Sequence, residues 1–134
     1  MKRIARAVVT PAGPNYAQDI ATGGFELESD EPVSAGGRNA GPAPYGLVLA
    51  GLGSCTAITL KMYADRKGWD IGRLQVALTL DKDADGNAFI GRVLSSDATL
   101  SAGQWDKLIE IAGKTPVTRT LSAGARITTT RSGA

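Results

Sequence analysis

Cys55 is the one thiol in the chain, and no histidine stands anywhere in the sequence to serve it as a base. The lack of histidine removes Ser-His and Cys-His nucleophile pairs. It also argues against zinc, because one cysteine with carboxylates is a poor ligand set. A cysteine inside an apolar helix is ordinarily a small, inert hydrophobe. A reactive one needs a cation beside it to hold the thiolate. Chemistry at Cys55 therefore depends on an arginine or lysine that the fold must bring to it.

Two other clusters invite a functional reading. Asp81, Asp83, Asp85 and Gly86 imitate the first half of a calcium loop, in which oxygens at positions 1, 3 and 5 wrap the ion. Position 12 is Arg92, a cation where a bidentate Glu is required, and the flanks read as strands. The tip of a hairpin is expected there, with no metal. Gly36-Gly37-Arg38-Asn39-Ala40-Gly41 precedes a helix, whose amino end attracts anions. Its spacing fits neither a Walker loop nor a dinucleotide fingerprint, so a flexible connector is expected. Arg38 is the cation placed to reach a ligand at the helix start, and it is the candidate support for Cys55.

The element that carries Cys55 is a helix expected over residues 44 to 67, with Pro44 in its first turn and Gly68 ending it. From Leu47 to Tyr63 apolar or small residues fall on every side, the pattern of a helix buried all round. Gly46, Ala50, Gly51, Gly53, Ser54 and Ala57 would let another backbone approach closely. A chain this small can hardly cover such a helix alone, so a homodimer is expected.

Strands are expected over 4 to 9, 16 to 22 and 25 to 28, separated by Pro11-Ala12-Gly13-Pro14 and Gly23-Gly24. Leu74, Val76, Leu78 and Leu80 alternate with polar or small residues, and a hairpin through Asp83-Ala84-Asp85-Gly86 leads to a strand from 88 to 99. Ser101-Ala102-Gly103-Gln104 matches a capping box, and Trp105, Leu108, Ile109 and Ala112 share one face of the helix it opens. Thr115-Pro116 can cap one more short turn before a last strand over 125 to 131.

Composition narrows the function classes. The 134 residues suit one α+β domain over 1–134. Aromatics make up 5% of the sequence, too few for stacking platforms on single strands. Fifteen Lys and Arg against thirteen Asp and Glu leave a net charge of +2 with no basic run, so no nucleic-acid or membrane partner is expected. The residues after the basic start Met1–Arg6 form no apolar core of a signal peptide. Leu47 to Ala64 approaches a membrane-span length, but its polar and small residues favour a core helix. A lone cysteine suits a reducing cytoplasm.

The run from Gly41 through Ser54-Cys55-Thr56 to Gly68-Trp69 resembles the central-helix signature of the OsmC/Ohr family of osmotically induced and organic-hydroperoxide-resistance proteins. The segment Ala112-Gly113-Lys114-Thr115-Pro116-Val117-Thr118-Arg119-Thr120-Leu121 is similar to that family's second motif. The resemblance implies antiparallel sheets packed around a long central helix in an intertwined homodimer. It also implies bacterial, cytoplasmic peroxide chemistry that needs no cofactor. In active members the first-motif cysteine, here Cys55, attacks the peroxide and becomes a sulfenic acid, and the second-motif cysteine closes a disulfide.

The chain departs from that pattern at three points. Thr115 occupies the second cysteine position, so no resolving thiol exists. The turn at residues 11 to 14 lacks the family's arginine, and Tyr45 and Gly46 stand where an early-helix Glu is usual. Two functions fit. One is a one-cysteine peroxidase in which Cys55, supported by Arg38, reduces organic hydroperoxides, Tyr45 and Thr115 line the substrate site, and an external thiol is the reductant. The other is a family member without catalysis that binds a small hydrophobic ligand at the dimer interface.

Overall fold

The computed structural model describes residues 1–133. It divides into two units, Met1–Val48 and Leu49–Ala134. In the first, β1 (Ala7–Pro11), β2 (Gln18–Thr22) and β3 (Phe25–Ser29) form an antiparallel meander. Gly23-Gly24 makes the two-residue turn that sets Thr22 opposite Phe25. The following segment, expected to be a flexible connector, is instead tied down. The carboxylate of Asp30 accepts hydrogen bonds from the backbone N–H groups of Glu31, Arg38 and Ala40 at 2.7, 3.0 and 3.2 Å. Burial pushes the Asp30 carboxyl up, but the bonds from Ala40, Arg38 and Glu31 together outweigh it and hold the group below its ordinary value.

Helix α1 (Pro44–Lys67) has the bounds expected from its caps and apolar run. It closes in a Schellman motif: Trp69 N–H donates to Ala64 C=O and Gly68 N–H to Asp65 C=O, with Gly68 at φ 68°. Its burial differs from expectation. In the single chain one stripe, Leu52, Thr56, Leu60 and Ala64 at four-residue intervals, is buried together with Gly53. Ile58 and Met62 on other sides are exposed. An all-apolar surface says that every side can be buried; one chain supplies cover for one stripe.

In the second unit β4 (Gln75–Lys82) pairs with β5 (Ala88–Ser95) as an antiparallel hairpin, with Lys82 opposite Ala88 and Leu78 opposite Arg92. The Asp83 carboxylate closes the tip by accepting from Asp85 N, Asn87 N and Asn87 Nδ2, which hold it below its ordinary value, the Asn87 side chain foremost. β5 stops at Ser95, short of the expected Thr99, where Asp97 turns to accept from Arg73 N.

Helix α2 (Ala102–Ala112) opens with the expected capping box, Ser101 and Gln104 each accepting from the other's backbone. Helix α3 (Pro116–Ala123) is a full eight residues, longer than the single turn expected. Residues 125 to 131, expected as a strand, carry no regular structure. A strand exists through its ladder, and neither sheet pairs with them. The core of this unit is Leu60, Ala64, Ile71, Leu108 and Ala112, with Trp69, Leu94 and Trp105 packed against it. The fully buried residues are aliphatic, and the aromatic Tyr63, Trp69 and Trp105 pack against them from outside.

Candidate functional site

Cys55 sits half-buried on α1, beside the buried stripe. The next residue, Thr56, is fully buried, and its hydroxyl donates to Leu52 C=O at 2.7 Å. That hydroxyl also accepts from Arg92 Nη1 at 2.9 Å. Arg92 reaches it from the middle of β5, and the same nitrogen donates to Thr118 Oγ1 at 2.9 Å. Nη2 donates to Ala112 C=O, again at 2.9 Å. This carbonyl closes α2, where the negative end of the helix dipole favours a cation.

The proton count fixes the remaining bonds. Thr118 Oγ1 donates its one hydrogen to Ala112 C=O at 3.1 Å. It therefore accepts from Arg92 and from Thr115, whose hydroxyl lies 2.6 Å away. Thr115 is buried at 1% exposure, so at the second-motif position the chain holds a hydroxyl turned inward to a neighbour. One guanidinium thus joins α1, the end of α2 and α3 to β5. Among the described residues the ion pairs are Lys61–Asp65, Lys107–Glu110 and Lys114–Glu110, and Arg92 takes part in none of them.

Arg92 also faces a cavity of about 470 Å³ whose walls include Leu52, Ile90, Leu94, Ile109 and Leu121. Of the residues singled out from sequence, the structure brings Thr115 into the Arg92 cluster, with Cys55 adjoining it through Thr56. Arg38 is exposed in the first unit, its backbone N–H held by Asp30, and Tyr45 is exposed in the first turn of α1. Arg92 entered the sequence reading only as the residue that spoils a calcium loop. A signal was present: with period two, Ala88, Ile90, Arg92 and Leu94 share one strand face, and Arg92 is the only charge on it.

Two antiparallel sheets and a long apolar helix, with the lone cysteine halfway along it, define a small α+β protein. The chain belongs to the OsmC-like protein family, whose sequence profile matches residues 36–130.

Solved structures share the fold. A Psychrobacter arcticus protein described as an osmotic stress induced and detoxification response protein superposes with a TM-score of 0.77 at 18% identity, covering 90% of each chain. An OsmC-like protein from Mycoplasma pneumoniae gives 0.72 at 19% identity, over 91% of this chain and 89% of that one. The organic hydroperoxide resistance protein OhrB of Bacillus subtilis gives 0.59 at 23%, over 88% and 90%. No protein of curated description matches the chain in sequence.

Helix α1 is long and apolar enough to cross a membrane by length and composition. Its Leu60 and Ala64 belong to the buried core of the second unit.

Proposed function

We propose that the chain is a thiol-dependent peroxidase of the OsmC-like family, in which Cys55 reduces organic hydroperoxides and an external thiol restores it. The observation that supports this most is Arg92, a guanidinium bound to neutral oxygens only, one of them on the residue next to Cys55. In this proposal the guanidinium answers the negative charge that develops on the oxygen that leaves during reduction. It fills the role that the sequence reading gave to Arg38. In the reaction the thiolate attacks the outer oxygen of ROOH. The S–O bond forms as the O–O bond breaks, sulfur gives up two electrons, and the alkoxide takes a proton and departs as ROH. An external thiol then condenses with the sulfenic acid, releasing water, and a second thiol reduces the mixed disulfide.

Further parts of the reading follow from the family. The whole chain, 1–134, works as one domain in an intertwined homodimer, and the exposed Ile58 and Met62 of α1 are the surface such a partner would cover. Thr115 shapes the floor of the substrate site through Thr118, and Tyr45 is the further substrate-binding candidate. The setting is a bacterial cytoplasm, where a lone thiol stays reduced, under oxidative stress. The OhrB resemblance, named for organic hydroperoxide resistance, favours the same substrate class.

The test is a stoichiometric dose of cumene hydroperoxide followed by dimedone. Mass spectrometry is expected to find the adduct at Cys55, and Cys55→Ser to abolish peroxide turnover. A thiol that stays reduced under peroxide sinks the reading. A second reading, binding of a small hydrophobic molecule without catalysis, draws on the cavity beside Arg92.

A further inference from the structure

We infer that the cavity beside Arg92 is a binding site for an organic monoanion, a carboxylate on an apolar body. This gives the second reading above a ligand class and does not depend on chemistry at Cys55. A guanidinium carries five N–H donors. Arg92 spends two at Nη1 and one at Nη2, all on uncharged oxygens of Thr56, Thr118 and Ala112. Nε–H and the second Nη2–H are engaged by no described residue, yet no side-chain donor in the described structure is both buried and unpaired. Nε, which bonds no described residue, is therefore not a buried atom, and Arg92 is among the residues that line this cavity.

The charge is unanswered as well. No Asp or Glu lines the cavity, and Arg92 belongs to none of the ion pairs. A half-buried cation without an anion is costly, and the guanidinium fork is shaped for a carboxylate. Thr118 and Ser122 add hydroxyls to the wall, and Leu52, Ile90, Leu94, Ile109 and Leu121 supply apolar surface that would hold a hydrocarbon body. A volume of about 470 Å³ lies in the range of small-molecule sites. Anion head and apolar tail thus meet complementary groups in one space.

The experiment titrates the full chain with decanoate, decanol and decyltrimethylammonium, each below its micelle concentration, by calorimetry and by amide shifts. Decanoate is expected to bind saturably, one per chain, roughly ten-fold or more tighter than decanol, because the alcohol brings no opposite charge and no second acceptor to the guanidinium fork. The cation should bind weakest. Shifts should centre on Ile90, Thr118 and Leu121.

Leu121→Trp, at a half-exposed position on the cavity wall, should abolish binding, and Arg92→Gln should erase the preference for carboxylate over alcohol. If Arg92→Gln fails to fold, Leu121→Trp decides the matter alone. Equal binding of decanoate and decanol overturns the inference and leaves the hydrophobic-ligand reading standing; no saturation by either overturns both. A dimer in sedimentation that excludes decanoate, and that Leu121→Trp breaks apart, shows a second copy covering the cavity and also overturns it. Peroxide turnover is measured separately, so a chain that binds decanoate but spares peroxide upholds this site while the peroxidase reading falls.

Discussion

Arg92→Met keeps an unbranched apolar stem and removes the guanidinium with its charge and donors. Three hydrogen bonds from a charged group go, to Thr56, Thr118 and Ala112. Each such bond contributes about 1.5–3 kcal/mol in a fully buried setting. Two facts reduce the sum. Arg92 is only half-buried, and none of its partners is orphaned: Thr56 keeps Leu52 C=O, and Ala112 C=O keeps Thr118. The expected loss is about 2–4 kcal/mol, seen in urea as a lower midpoint at unchanged slope. Thr118→Ala should cost less in the Arg92→Met background than in the wild type, since the two share one network. A loss under about 1 kcal/mol, or full additivity with Thr118→Ala, would show that the cluster does not hold the helices to β5.

Two further outcomes follow from local geometry. A methyl group at Gly53 would lie 2.8 Å from Leu78 Cδ1, whereas at Gly103 the nearest atom is Ser101 Oγ at 4.0 Å. Thermal melts should therefore find Gly53→Ala less stable than Gly103→Ala by about 1–2 kcal/mol, although both gain helix propensity. The Asp30 carboxyl sits lower in the folded chain than in the unfolded one, so its contribution is present above the unfolded value of 3.8 and is lost as pH falls through the folded one. Amide exchange at Arg38 and Ala40 should accelerate only in that acid range, measured against neighbours that do not bond Asp30.

Much of the fold was legible because its signals are local. Pro44 and Gly68 bounded α1, the Ser101/Gln104 pair opened α2, and Gly23-Gly24 and Asp83–Gly86 turned two hairpins. Cys55 could be singled out as the lone thiol, and the structure sets it on α1 next to Thr56. What failed was whatever depends on partners far away in sequence. The strand expected over 125 to 131 had suitable residues but no ladder, and the 36–41 segment looked loose because Asp30, which binds it, lies outside it. Arg92 was overlooked for the same reason. Its meaning comes from Thr56 and Thr118, 36 and 26 residues distant, and a strand alone shows only an odd charge on an apolar face.

Those separations also carry a kinetic consequence. The three bonds of Arg92 close loops of 36, 26 and 20 residues, and the entropy of closing them must be met before any bond forms. Local pieces such as the β4–β5 hairpin and the capped α2 need no such closure and can assemble first. The guanidinium then acts as a latch that drops after the rate-limiting step. Weakening it should steepen the escape from the native state while leaving the rate of reaching it nearly unchanged, so the cluster would govern how long the folded chain lasts more than how fast it is made.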